Sequence, residues 1–196
     1  MRDARRAAAA LLAACGFFLA GAGRAASAPV APQLVAAQSE IGFVSHQMGV
    51  PVAGRFRNFD AQVSFDPKAP EQGHFLVEVE LASVELPTAD AMREVGKPTW
   101  FDAERFPRAV FESTSIRAIR PGQYEISGRL DIKGHHQGVV APVQLERAGS
   151  LTVASGSLVV RRLAFAIGDG DWSDTSVVAD DVQIRFRLAL TGLGPF

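Results

Sequence analysis

From Phe59 to Asp66 apolar and polar side chains alternate without a break. Phe59, Ala61, Val63 and Phe65 fall on one face; Asp60, Gln62, Ser64 and Asp66 fall on the other. Successive side chains of a strand point to opposite faces, so this is a half-buried strand. Phe56 breaks the parity and would share the wet face with Asn58 and Asp60. A bulge or bend between Phe56 and Phe59 restores it, with Gly54 easing the approach. A long, bent strand with one apolar face constrains the chain strongly, because it suits a sheet that curls on itself.

The rest of the chain repeats the pattern. A first strand spans roughly Leu34 to His46, with Ile41 and Phe43 on one face; Gly49 and Pro51 then turn the chain into the bent second strand. A third runs from about His74 to Ser83, with Phe75, Val77, Val79 and Leu81 on one face. Between Pro87 and Arg105 the pattern lapses. Thr88 can cap a short helix that Gly96, Lys97 and Pro98 end, and the aromatic pair Trp100-Phe101 follows in a loop. Strands resume over about Ala109–Ile119 and Gln123–Lys133; the latter sets Tyr124, Ile126, Gly128, Leu130 and Ile132 on one face. A sixth spans about Val139–Arg147, where Pro142 marks an irregularity or an edge. A seventh spans Leu151–Phe165, and a loop rich in Gly and Asp (168–181) leads to the eighth, with Val182, Ile184, Phe186, Leu188 and Leu190 on one face.

Eight strands with short links imply antiparallel neighbours and an all-β fold. An eight-stranded antiparallel β-barrel, with one short helical excursion between strands three and four, is favoured over a two-sheet sandwich by the bent second strand. Such a barrel is either packed solid or holds one small ligand.

The start of the chain is a different kind of segment. Arg2, Arg5 and Arg6 precede an apolar run from Ala7 to Ala22, and small residues surround Ala26-Ser27-Ala28. This is the layout of a secretory signal peptide over residues 1–26, with a flexible lead-in at 27–33 and the barrel domain over 34–196. Cleavage after Ala25, Ala26 or Ala28 fits. The one cysteine, Cys15, lies inside this leader. Leu12-Ala13-Ala14-Cys15-Gly16 is similar to a lipoprotein box, but Phe17, Phe18 and Leu19 continue the apolar run, as in an ordinary signal core. Removing residues 1–26 leaves 16 basic and 20 acidic residues, a net charge of −4. That balance lacks the basic footprint of a nucleic-acid binder. A mature chain from Ser27 has no thiol.

Several short pieces, in order, resemble the YceI-like family. They are Phe43-x-x-His46, Gly54-x-Phe56-x-x-Phe59, Phe65-Asp66, Trp100-Phe101-Asp102 before Phe106-Pro107, and Phe111-x-Ser113-Thr114. Gly128-x-Leu130-x-Ile132-Lys133-Gly134 and Arg162 ahead of Phe165 continue the series, and Ile167-Gly168-x-Gly170-x-Trp172 resembles a proteobacterial branch. The chain departs from the family at Ser83–Pro87 and at Gly134-His135-His136. The resemblance implies a lipocalin-like barrel in the periplasm, with a polyisoprenoid or quinone-like lipid in an apolar channel and without stable membrane insertion. A homodimer is compatible with such a channel.

On that implication the channel candidates are Phe43, His46, Phe56, Phe59, Val63, Phe65, Phe75, Val77 and Val79 in the first three strands. Trp100 and Phe101 in the excursion, Phe111, Ile126 and Leu130, and Phe165, Ile184 and Phe186 complete the set. Each apolar member suits a dry core equally well. His46 fits either a ligand head group or a structural hydrogen bond at the rim.

No catalytic constellation stands out, since the serines lack a nucleophile elbow. The expectation is therefore a binding protein without cofactor or metal. His135 and His136 are strand neighbours and point apart. Asp169-Gly-Asp171-Trp-Ser-Asp174 lacks the Gly and Glu of an EF-hand loop. Arg162 with Asp102 or Glu112 suits a structural ion pair. The alternative functions are a stress-related interaction protein and a lipid-acting enzyme.

Overall fold

The structure, a computed structural model, describes residues 31–196; the expected signal peptide and residues 27–30 of the expected lead-in lie outside the described residues. The eight strands are present, two of them interrupted. The first is β1 (Gln33–Leu34) and β2 (Glu40–Gln47), parted by a 3-10 turn at Ala36–Gln38 that alternation alone does not reveal. Ser39 holds this break: its Oγ donates to the Val35 carbonyl at 2.9 Å and accepts from the Ala189 N–H at 2.9 Å. A hydroxyl that serves the backbone locally competes with a strand ladder.

The second strand is β3 (Val50–Phe56) and β4 (Phe59–Ser64), and the bend falls where parity requires it, at Arg57-Asn58. The backbone groups freed there are taken up by one corner of the chain. Arg57 N–H donates to the Ser83 carbonyl (3.2 Å), Asn58 N–H to Ser83 Oγ (3.1 Å), and Glu80 N–H to the Asn58 carbonyl (3.0 Å). For the same reason the third strand, β5 (His74–Glu80), ends three residues before Ser83. Leu81–Ser83 coil into a 3-10 turn that fills the corner, and β6 (Val84–Glu85) then pairs with β3.

The helix α1 (Ala89–Val95) begins as the Thr88 cap predicts: Ala91 N–H donates to Thr88 Oγ1 at 3.1 Å. After it come β7 (Arg108–Arg120), β8 (Gln123–Ile132), β9 (His135–Ala148), β10 (Leu151–Arg161) and β11 (Asp181–Thr191). The sixth strand thus starts at His135, four residues before the alternation suggests. Lys133 (φ 51°) and Gly134 (φ 75°) form the whole turn by themselves, as in a two-residue hairpin. The seventh stops at Arg161, because Arg162–Phe165 turn into a 3-10 segment.

β11 pairs with β10 on one side and with β2 and β1 on the other, and β1 also pairs with β4. The sheet therefore closes into an eight-stranded antiparallel barrel with one short helix. The irregularity expected at Pro142 is real. The β9–β10 ladder runs from Leu151–Ala148 to Gly156–Val143 and stops there, where proline has no N–H to continue it.

The two ends of the barrel differ. One is filled by side chains: Ile116, Leu145, Leu190 and Leu193 are buried there, and Phe65 meets Tyr124 edge to face at 5.1 Å. The other is covered by two excursions, residues 81–107 and 162–180. They are tied together through the Thr99 carbonyl, which accepts from Gly168 N–H (2.8 Å) and Asp169 N–H (2.9 Å).

Gly156 sits where the β9–β10 ladder ends. A Cβ there would overlap the Pro142 carbonyl oxygen and lie 2.6 Å from Phe186 Cζ. Backbone cannot yield as a flexible side chain can, so Gly156→Ala is expected to cost about 1–3 kcal/mol. The check is the urea midpoint of unfolding, which should fall with an unchanged slope.

Candidate functional site

Strand parity decides which side chains face inward, and the barrel is too wide for them to fill. Between the packed end and the covered end lies a cavity of about 710 Å³. Small-molecule sites typically measure roughly 300–1,000 Å³. Its walls are Ile41 and Phe43 from β2, Val52 and Phe56 from β3, and Phe75, Val77 and Val79 from β5. Ala109 and Phe111 of β7, Ile126, Leu130 and Ile132 of β8, and Val182, Ile184, Phe186 and Leu188 of β11 continue them. Phe43, Phe56, Val77, Val79, Phe111, Ile184 and Phe186 point inward yet are only partly buried. A barrel packed solid would bury them completely.

Of the candidates read from the sequence, Phe43, Phe56, Phe75, Val77, Val79, Trp100, Phe101, Phe111, Ile126, Leu130, Ile184 and Phe186 border this cavity. The other five lie elsewhere. His46 falls between Ser45 and Gln47, which border the cavity, so parity turns it outward, and it is exposed. Its backbone carbonyl accepts from Ala179 N–H at 2.9 Å. Phe59, Val63 and Phe65 belong to β4 and its end, on the packed side; Phe65 lies 5.6 Å from the Phe75 ring. Phe165 is 1% exposed and packs inside the core of the covered end.

The residues expected from the sequence do not include the polar rim. Gln47, Pro87, Thr88 and Asp90 both border the cavity and reach solvent, which places a mouth between the end of β2 and the start of α1. Ser45 and Glu94 stand just inside it. Counting by twos from Phe43 marks Ser45 and Gln47 as inward-facing; nothing in the sequence brings α1 over them. The helix itself has no fully buried residue, so it lies over the mouth without being embedded.

Arg162 organises the covered end and forms no pair with Asp102 or Glu112. Asp102 instead faces Arg105 at 3.2 Å, and Glu112 faces His74 at 3.4 Å. The Arg162 guanidinium is 2% exposed and spends all five N–H groups on carbonyls. Nε donates to Ala179 (3.1 Å), Nη1 to Ile167 and Gly168 (2.9 Å each), and Nη2 to Trp172 and Val178 (2.7 Å each). Burial pushes its pKa below the ordinary arginine value, while Asp180 and Asp169 pull it back. The sequence suggested a carboxylate partner because buried charges are commonly paired. Here backbone dipoles of a folded-back loop solvate the cation. Beside it Trp100 and Trp172, one from each excursion, meet at 5.5 Å and face the cavity.

A family model described as YceI-like domain matches residues 33–190. The chain belongs to the YceI-like family. This YceI-like chain is 29% identical over 128 residues to a UPF0312 protein of Azotobacter vinelandii, a match covering 65% of this chain and 67% of that one. Against a Vibrio cholerae UPF0312 protein the match is 27% identical and spans 58% of this chain and 60% of the relative. Among solved structures, Burkholderia cenocepacia BcnA is 39% identical with a TM-score of 0.77, covering 80% of this chain and 99% of that one. A polyisoprenoid binding domain from Saccharophagus degradans shares the fold at 16% identity and a TM-score of 0.68, covering 83% of this chain and 99% of that domain. Among the described residues no helix is long and apolar enough to cross a membrane.

Lysine cannot reproduce the five-carbonyl geometry of Arg162. Arg162→Lys is therefore expected to lose at least ~3 kcal/mol through unsatisfied buried acceptors. Hydrogen exchange should show residues 166–180 exchanging much faster while β7 and β8 remain protected. Uniform acceleration across the barrel would contradict a local anchoring role.

Proposed function

We propose that this chain is a periplasmic carrier that sequesters a long apolar molecule, a polyisoprenoid or an isoprenoid quinone, inside the barrel. The observation that carries the reading is the unfilled apolar space with a single-sided polar mouth. Partly buried phenylalanines are poor economy in a core, but they suit the wall of a site that a hydrocarbon chain completes. Binding is by burial: each CH₂ removed from water contributes about 0.8 kcal/mol, so a long chain needs few polar contacts. One further observation supports this reading: the Saccharophagus neighbour, which shares the fold, is a polyisoprenoid binding domain. The chain holds its ligand rather than transforms it, since the cavity walls are almost wholly hydrocarbon.

The deciding experiment is native mass spectrometry of the mature protein from a periplasmic extract, with organic extraction of whatever co-purifies. A discrete added mass matching a prenylated species is the expected result. A clean apo mass with no uptake of added polyprenol or quinone would overturn the reading.

The chain's two tryptophans, Trp100 and Trp172, both border the cavity. Titration with a long-chain prenyl alcohol should therefore shift the intrinsic emission to the blue. Ile184→Trp projects a large ring into the empty space and should weaken that binding at least tenfold without lowering the melting temperature. A variant that binds as tightly as the wild type would place the ligand elsewhere.

A further inference from the structure

The hairpin side of the mouth carries a feature that the cavity does not use. Charged residues make up 21% of the chain, yet Gln47–Gly54 contains none and Thr175–Ala179 contains none. The fold brings these two uncharged segments together. Met48 N–H donates to the Val177 carbonyl at 2.8 Å, Ala179 N–H donates to His46, and Gln47 bridges to Val178. At the tip the chain reverses in two residues, with Met48 at φ 47° and Gly49 at φ 79°. Methionine in the left-handed region is uncommon, and here it aims a long apolar side chain away from the barrel.

Met48 is 78% exposed, Val50 62% and Val177 37%. Isolated exposed apolar residues are ordinary, but these three share one promontory. Its position is informative: Val50 is the register partner of Gln47, the residue at which the cavity opens to solvent. The surroundings carry no net positive charge. Asp90 and Glu94 stand on α1 across the mouth, paired with Arg93 and Lys97, and Asp174 precedes Val177.

We propose that this uncharged promontory seats the mouth on the surface of a neutral lipid bilayer, so that the ligand passes between membrane and cavity without crossing water. The proposal rests on the reading of the cavity as a site for a long apolar molecule. Such a molecule resides in bilayers, and every methylene it exposes in aqueous transit opposes its release. Apolar side chains at the lip of the mouth remove that exposure by closing the gap. The charges on α1 at the mouth are paired, and the promontory itself carries none, so the site offers no positive charge to anionic head groups and is committed to neutral ones. Three side chains make a weak, reversible contact, as a carrier that must leave again requires.

The test is flotation of the mature protein with phosphatidylcholine vesicles that contain no prenyl lipid. Met48→Asn/Val50→Thr is the variant: asparagine tolerates the left-handed backbone, and threonine keeps the shape and strand preference of valine. The wild type should float with the vesicles, and the double variant should show at least a fivefold smaller bound fraction. Val177→Thr alone is a second variant, expected to lose about twofold, should the double variant melt early. Adding phosphatidylglycerol should not strengthen binding of the wild type. In parallel, uptake of a prenyl alcohol delivered from cyclodextrin should be equal in wild type and variants.

A wild type that stays off the vesicles, variants that bind equally, or binding that rises with anionic lipid would each overturn the proposal. So would a dimer that the double variant dissolves, because the promontory would then serve a second copy. Failure of prenyl-alcohol uptake by the wild type, with flotation intact, would instead overturn the cavity reading and leave a membrane-docking barrel.

Discussion

Everything in this molecule depends on the last strand finding the first. β11 is held by β10 along one edge and must spend its other edge on β2 and β1. Without that closure the sheet would leave two long edges with unpaired N–H and C=O groups, open to pairing with other chains. With it, every inward side chain shares one enclosed interior, whose width follows from the number of strands and not from the side chains available to fill it. The cavity is a consequence of closure. Phenylalanines line it, yet they cannot span it.

Closure also makes the two ends inequivalent. At one end short hairpins leave room for Ile116, Leu145, Leu190 and Leu193 to pack against one another, and the interior is solid. At the other, the chain spends two long excursions. They cannot be held by apolar burial alone, since each exposes many backbone groups. Arg162 resolves this by donating to five carbonyls of one excursion, and Thr99 ties it to the other. The cost of burying a cation is offset by dipoles that would otherwise be unsatisfied. Helix α1 is left out of this network and lies at the rim, so an element with no fully buried residue stands beside the mouth.

Much of the architecture was legible because strands have a period of two. The alternation through Phe59–Phe65 and Val182–Leu190 marked inward faces, the parity fault at Phe56 marked the corner, and Pro142 marked the end of a ladder. Thr88 marked the helix cap. The misses share a cause, which is that local pattern does not know about partners elsewhere. Ser39 interrupts the first strand because Ala189, far along the chain, offers it an N–H. His135 joins the sixth strand because Lys133-Gly134 suffices as a turn. His46 and Phe43 sit three apart in a family motif, but an odd spacing on a strand puts them on opposite faces.

The sequence by itself determined the number of strands, the face each presents and the place where the second one bends, because side-chain alternation is a local property of an extended backbone. It also determined that the interior would be apolar. Only the tertiary structure decided that this interior is partly empty, that one end is sealed by side chains and the other by an arginine-centred loop, and that the mouth opens between Gln47 and Thr88. Those outcomes depend on barrel width, on a guanidinium that meets nearby carbonyls only once its loop folds back, and on backbone groups such as Met48 and Val177 that meet across more than a hundred residues. Side-chain alternation registers none of these.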